Sequence, residues 1–257
     1  VTVTGPSGSG APAVIAVTLN VTAATGPAIS GIVNGASFDV GNGVAPGQIV
    51  SVFGSNLGPA TGQSLTLDAA GRVPTTLAST RVFFDGVPAA VLFARADQVN
   101  CVVPYAVRGR ATTTVQLEYN GVRSASTVLN VADTAPGIFT LTQATPGRGQ
   151  GAILNSNNVV NSATTPAAPG SIISIYLTGE GATTPAGVDG EVATAGNLRR
   201  PIAPVSVRVG GILIPAADLI YAGSAPGLVL GAMQINVRLP ANVPAGAVPI
   251  DVTIGQG

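Results

Sequence analysis

The block Ala45-Pro46-Gly47-Gln48-Ile49-Val50-Ser51-Val52-Phe53 returns as Ala168-Pro169-Gly170-Ser171-Ile172-Ile173-Ser174-Ile175-Tyr176. A second block agrees with the first: Gln98-Val99-Asn100-Cys101-Val102-Val103-Pro104 matches Gln234-Ile235-Asn236-Val237-Arg238-Leu239-Pro240. The stretches that follow end at Asn120-Gly121 and Gln256-Gly257 with the same spacing. Two congruent copies call for two similar units in tandem. The expected division is an N-terminal segment over 1–28, a first unit over 29–140 and a second over 141–257.

Within each copy the apolar residues alternate with a period of two, as in Ile49 to Phe53, Val115 to Tyr119, Ile172 to Leu177 and Val205 to Val209. Gly, Pro and Asn clusters separate these runs, and no amphipathic helix intervenes, so an all-β sandwich architecture is expected. Asp85-Gly86, Asn120-Gly121 and Gly210-Gly211 lie between apolar runs where hairpin turns need positive φ. The repeat also assigns the lone cysteine. Cys101 falls on Val237, on the strand face shared with Val99 and Val103, and is expected to stand in for a small core hydrophobe.

Composition narrows the chemistry. The 257 residues include no His, and all 11 basic residues are Arg, so imidazole and amine catalysis are both excluded. Hydrophobic residues make up 46% and charged residues 9%, a balance that folds,. Net charge is zero, which offers no electrostatic attraction to nucleic acid or an anionic membrane,. No apolar run is long enough to span a bilayer. Low charge, a single Cys and abundant Thr, Ser, Gly and Asn suit an extracellular or cell-surface setting.

Carboxylates are sparse. Glu118 alternates with Leu117 and Tyr119 as a solvent-facing strand residue, and Glu180, Asp189 and Glu191 flank a Gly-rich loop where surface solubility accounts for them. Asp189 and Glu191 lack the spacing of a calcium loop. Gly5 to Gly10 has no Lys and no following helix, unlike a phosphate loop. No catalytic residue, cofactor or metal is therefore expected, and the chain reads as non-enzymatic.

A set of motifs carries a family resemblance: Ile32-Val33-Asn34-Gly35-Ala36-Ser37-Phe38, Ala45-Pro46-Gly47, Asp85-Gly86-Val87-Pro88-Ala89, Gln98-Val99-Asn100, Ala135-Pro136-Gly137-Ile138-Phe139 and Gly149-Gln150-Gly151-Ala152-Ile153-Leu154-Asn155. Across residues 29 to 257 the chain resembles an uncharacterised C-terminal domain family of secreted proteins from Solibacter-type acidobacteria. The resemblance implies a bacterial exported protein of two tandem immunoglobulin-like IPT/TIG sandwiches, and it carries over no catalytic residue. Residues 1 to 24 lie outside that match and resemble the closing hairpin of a BACON-like module.

Alternation in that N-terminal segment places Ile15, Val17, Leu19 and Val21 on one face of a β-hairpin or donor strand. Its Thr18-Leu19-Asn20-Val21 is close to Val128-Leu129-Asn130-Val131, the strand that follows Asn120-Gly121 in the first unit. The second copy reaches Gln256-Gly257 where that strand would begin, so the second sandwich is expected to lack its last strand. An incomplete sandwich accepts an extended segment at its open edge. The expected function is a structural subunit of an extracellular filament, a homopolymer of copies joined head to tail through Ile15, Val17, Leu19 and Val21. Asn20-Val21-Thr22 is a glycan acceptor that would have to point outward. One alternative is that residues 1 to 24 fold back onto their own chain; another is an adhesion module binding surface polysaccharide through the loops Gly54 to Gly62 and Asn155 to Ser162, with Asn56 and Asn157 as contacts.

Overall fold

The computed structural model describes residues 26–41, 43–141 and 148–255. Within them the chain is all-β: two tandem immunoglobulin-like β-sandwiches, whose helical turns are two 3-10 segments, Tyr105–Val107 and Ala216–Asp218. The first sandwich comprises β1 (Ala28–Asn34), β2 (Ile49–Ser55), β3 (Gln63–Ser64), β4 (Thr80–Phe84), β5 (Val87–Pro88), β6 (Ala90–Ala94), β7 (Gln98–Val102), β8 (Thr112–Tyr119), β9 (Val122–Arg123) and β10 (Thr127–Asn130). One sheet has the order β1-β2-β7-β6-β3 and the other β10-β8-β4-β5, with β9 folded back on β8. Val50, Val52, Val82, Phe84, Cys101 and Leu117 meet between the sheets in one apolar core,.

The second sandwich comprises β11 (Gly137–Ile138), β12 (Ile153–Asn155), β13 (Ile172–Thr178), β14 (Thr183–Thr184), β15 (Arg200–Pro201), β16 (Val205–Val209), β17 (Ile212–Leu213), β18 (Leu219–Ser224), β19 (Ala232–Arg238) and β20 (Ile250–Ile254). Its larger sheet runs β11-β13-β19-β18, with β12 also on β13; the facing sheet is β17-β16-β20, and β14 pairs β15. Ile173, Ile175, Val207, Val209, Ile235 and Val237 form its core. Gly137 and Ile138, inside the 29–140 segment that the repeat assigns to the first unit, pair with Thr178 and Leu177 of β13. The chain thus crosses over between Asn130 and Gly137, where the Asn34 side-chain amide donates to the Ala135 carbonyl at 2.9 Å.

The repeat survives as identical register. Val50 lies opposite Cys101 and Ser51 opposite Asn100; Ile173 lies opposite Val237 and Ser174 opposite Asn236. Even a side-chain bond is copied, Gln98 to Asn100 at 3.0 Å and Gln234 to Asn236 at 2.8 Å. The opening turns match too, since Gly47 N–H donates to Val103 O at 2.9 Å and Gly170 N–H to Leu239 O at 3.1 Å. Asp85-Gly86, Asn120-Gly121 and Gly210-Gly211 all take positive φ at both positions, the backbone of a type I′ hairpin turn,.

A third apolar cluster joins the two sandwiches. Ile49, Ala90 and Val102 on the outer face of the first sheet pack with Ala225, Val229 and Ala232 of the second unit. The cluster explains why Val102 is buried while its repeat partner Arg238 is exposed. Inside the seam the Thr178 hydroxyl accepts from Ile49 N–H at 2.8 Å and donates to Gly231 O at 2.6 Å. The backbones touch as well, since a Cβ on Gly231 would collide with the Gly47 carbonyl oxygen. Thr178→Val keeps the shape and leaves both backbone groups buried without a partner. The variant is expected to lose about 2 to 4 kcal/mol of stability by urea unfolding; a loss under about 0.5 kcal/mol would mean the hydroxyl bridge is not a seam contact that matters.

Candidate functional site

The difference between the two copies lies at one sheet edge. In the first sandwich β8 sits between β4 and β10, whereas in the second β20 pairs with β16 on one side. Among the described residues no strand lies on its other side. The strands correspond residue for residue: Phe84, Val82 and Thr80 oppose Val115, Leu117 and Tyr119, as Val209, Val207 and Val205 oppose Ile250, Val252 and Ile254.

Backbone direction identifies the open groups. Gly210 N–H donates to Pro249 O and Gly255 N–H to Pro204 O, both at 2.8 Å, so residues 249, 251, 253 and 255 direct their polar groups at β16. Alternation then turns the peptide groups of Val248, Ile250, Val252 and Ile254 toward the open edge. The equivalent groups of the first sandwich are occupied: Thr127 and Leu129 oppose Val115 and Thr113, and the Leu117 N–H donates to the Ser124 hydroxyl at 3.0 Å. On β20 the Ile254 carbonyl accepts from the Thr134 hydroxyl at 2.7 Å. Side chains report the same gap. Val115 and Leu117 are fully buried, but their counterparts Ile250 and Val252 are only half-buried against the second core.

The expected donor residues Ile15, Val17, Leu19 and Val21 lie outside the described residues, as do the Gly5 to Gly10 loop and the Asn20 acceptor. In the loops considered for polysaccharide, Leu57 is buried in the first core. Asn56 takes positive φ, and the Asn157 side chain accepts from Val159 N–H at 3.2 Å. Cys101 is buried in the first core, where desolvation pushes its thiol up to about 12. No group of three or more potential metal ligands occurs among the described residues, and no helix there is long and apolar enough to cross a membrane.

One carboxylate departs from expectation. Glu180, which reads in the sequence as a solvated loop residue, is completely buried, with no hydrogen-bond partner for either oxygen. The cause is local. Gly179 and Gly181 both adopt positive φ, and a Cβ on either would run into the Ala135 or Asp133 carbonyl, so the crossover segment clamps this turn and faces Glu180 inward,. Burial pushes its carboxyl up to about 8. The Tyr105 hydroxyl is likewise buried without a partner, its pKa raised by burial and by the Glu180 charge.

The remaining acids of that loop bind protein groups. Asp189 accepts from Tyr105 N–H at 2.9 Å, and its carbonyl accepts from Arg72 at 2.7 Å. Glu191 pairs with Arg199 at 3.1 Å. Asp189 therefore latches one sandwich to the other, a role that its position in sequence does not suggest.

No family model matches the sequence, and no curated protein matches it. Among solved structures the chain is similar to the plexin A4 extracellular region. A structure with domains 1 to 8 is 17% identical with a TM-score of 0.29, covering 96% of this chain and 19% of that one. A structure with domains 1 to 10 is 16% identical with a TM-score of 0.28, covering 96% and 16%. The chain thus spans less than a fifth of the length of either plexin chain.

The buried carboxyl sets a pH dependence. Its pKa rises from 4.5 to about 8 on folding, so between those values the unfolded chain releases a proton that the native state retains. Stability from this group is full below about pH 4.5 and is lost as pH rises through about 8. Glu180→Gln is expected to flatten thermal stability across that window and to exceed the parent chain in Tm at pH 8. Parallel Tm curves for the two proteins would contradict the assignment.

Proposed function

We propose that this protein is a non-catalytic structural subunit of the bacterial cell exterior that assembles with copies of itself by β-strand addition. The observation that carries the reading is the edge of β20, open among the described residues at the position that β10 fills in the first sandwich. The occupant is the N-terminal segment of a second copy, with Ile15, Val17, Leu19 and Val21 turned toward the second core. Sequence supports that choice, because Thr18-Leu19-Asn20-Val21 parallels Val128-Leu129-Asn130-Val131, the segment holding that place in the first sandwich.

Strand addition satisfies the edge peptide groups and covers Ile250 and Val252, and each apolar donor side chain fully buried contributes about 1.5 to 3 kcal/mol before ordering costs. Donor and acceptor are different segments of the chain, so the contact is heterologous and propagates into a filament unless its rotation closes a ring. The apolar seam between the sandwiches suits such a subunit by holding the acceptor edge in fixed relation to the first sandwich. The absence of His and Lys from the sequence agrees with a non-catalytic role, and the family resemblance agrees with export.

Electron microscopy and size-exclusion chromatography of the full chain beside a chain beginning at Ala28 test the proposal. Filaments from the first and monomers from the second are expected. Filaments from both, or monomers from both, would overturn it.

A further inference from the structure

We infer that the N-terminal segment of a neighbouring copy adds to β20 antiparallel in a single register, with Val17 opposite Ile250, Leu19 opposite Val248 and Ile15 opposite Val252. The inference rests on the strand-addition reading and specifies the geometry by which the acceptor recognises its partner.

The register follows from the strand pairing, which sets Val115 on Ile250 and so runs one residue out of step here with the sequence spacing that sets Asn120-Gly121 on Gln256-Gly257. In the first sandwich β10 pairs Thr127 with Val115, Val128 with Thr114 and Leu129 with Thr113. Val115 corresponds to Ile250, because Phe84 opposes Val115 and Val209 opposes Ile250. The hairpin turns fix the same alignment independently: Asp85 N–H donates to Thr114 O and Gly210 N–H to Pro249 O, both at 2.8 Å. Placing Thr18-Leu19-Asn20-Val21 on Val128-Leu129-Asn130-Val131 then sets Thr18 opposite Pro249 and Ala16 opposite Asp251.

Three observations agree with this register. Leu129 and Val131 pack against the first core while Val128 is 64% exposed; the same alternation turns Val17, Leu19 and Val21 inward and Thr18 and Asn20 outward, as their polarity requires. Pro249 has no N–H to offer, and its carbonyl already serves β16, so it costs the new ladder nothing at the non-hydrogen-bonded position opposite Thr18. The Ile254 carbonyl is occupied by the Thr134 hydroxyl, so the usable edge is Val248, Ile250 and Val252, the length that Leu19, Val17 and Ile15 cover.

Slipped registers fail on the same grounds. A one-residue slip turns the apolar face to solvent. A two-residue slip in one direction drives Ile15 onto Ile254, where Thr134 already bonds; in the other it sets only the small Ala13 opposite Val252. The acceptor is therefore selective for an extended segment with apolar residues at three alternate positions and small or polar residues between them.

Disulfide trapping tests the register. Ala16 and Asp251 form an outward-facing, non-hydrogen-bonded pair, whose Cα atoms are about 4.5 Å apart in such ladders, within reach of a disulfide. One preparation carries Ala16→Cys and another Asp251→Cys; Cys101 is buried and stays out of the reaction. Mixing the two under mild oxidant is expected to give a covalent heterodimer at least about 10-fold faster than mixing Thr18→Cys with Asp251→Cys, which reports a two-residue slip. Faster trapping with the Thr18→Cys preparation would overturn the register and leave strand addition standing. So would trapping through neither pair while filaments still require residues 1–24. A chain carrying both Ala16→Cys and Asp251→Cys that closes only on itself would overturn both proposals.

Discussion

Strands β2 and β13 each run between antiparallel neighbours and present apolar residues to an inner core, and the two are brought together by the seam around Thr178. A sheet face covered on both sides leaves no room for unsatisfied polar groups. Thr178 meets that demand with one hydroxyl that both accepts and donates. The close approach of Gly47 and Gly231 is permitted by the same packing, and so is the burial of Tyr105 between Gly47 and Gly187, where a Cβ on either glycine would enter the ring. The Asp189 latch reaches the same seam, since it accepts from the N–H of Tyr105, which packs on Gly47.

Against this shared frame, the copies differ where sequence symmetry is broken. Val102 and Arg238 occupy equivalent strand positions with opposite environments, because the second sandwich covers the face that bears Val102. Strands β8 and β20 are equivalent as well, yet β10 completes the edge of the first while the described residues leave the second open. The half-burial of Ile250 and Val252 is the energetic trace of that difference. An exposed apolar edge is a pairing template, and here it lies beside a complete sandwich of the same design.

The sheets are legible in the sequence because period-two alternation and turn chemistry both act locally. Asn120-Gly121 and Gly210-Gly211 read as hairpins and adopt the required φ. The match to Val237 places Cys101 in the core, and it lies there. Glu180 is different, since a Gly-Glu-Gly triplet looks like a solvated loop tip unless one knows that a distant segment, residues 133–135, closes over it. Asp189 is hidden for the same reason: its partners Tyr105 and Arg72 are 84 and 117 positions away. Contacts across a domain seam leave no periodic signature, so the repeat reveals each sandwich and says nothing of how they join.

The seam also has a mechanical meaning. When a linker alone connects two modules, tension first straightens the linker and the modules swing freely. Here the crossover between Asn130 and Gly137 is pinned at its middle, by Asn34 at the Ala135 carbonyl, by Gly179 at the Ala135 amide and by the Thr134 hydroxyl on the Ile254 carbonyl, so it holds little slack to release. A pull along the chain must shear an apolar face past its mate and break the Asp189 and Thr178 bonds together. The molecule would therefore resist stretching as a stiff element and yield in one abrupt step.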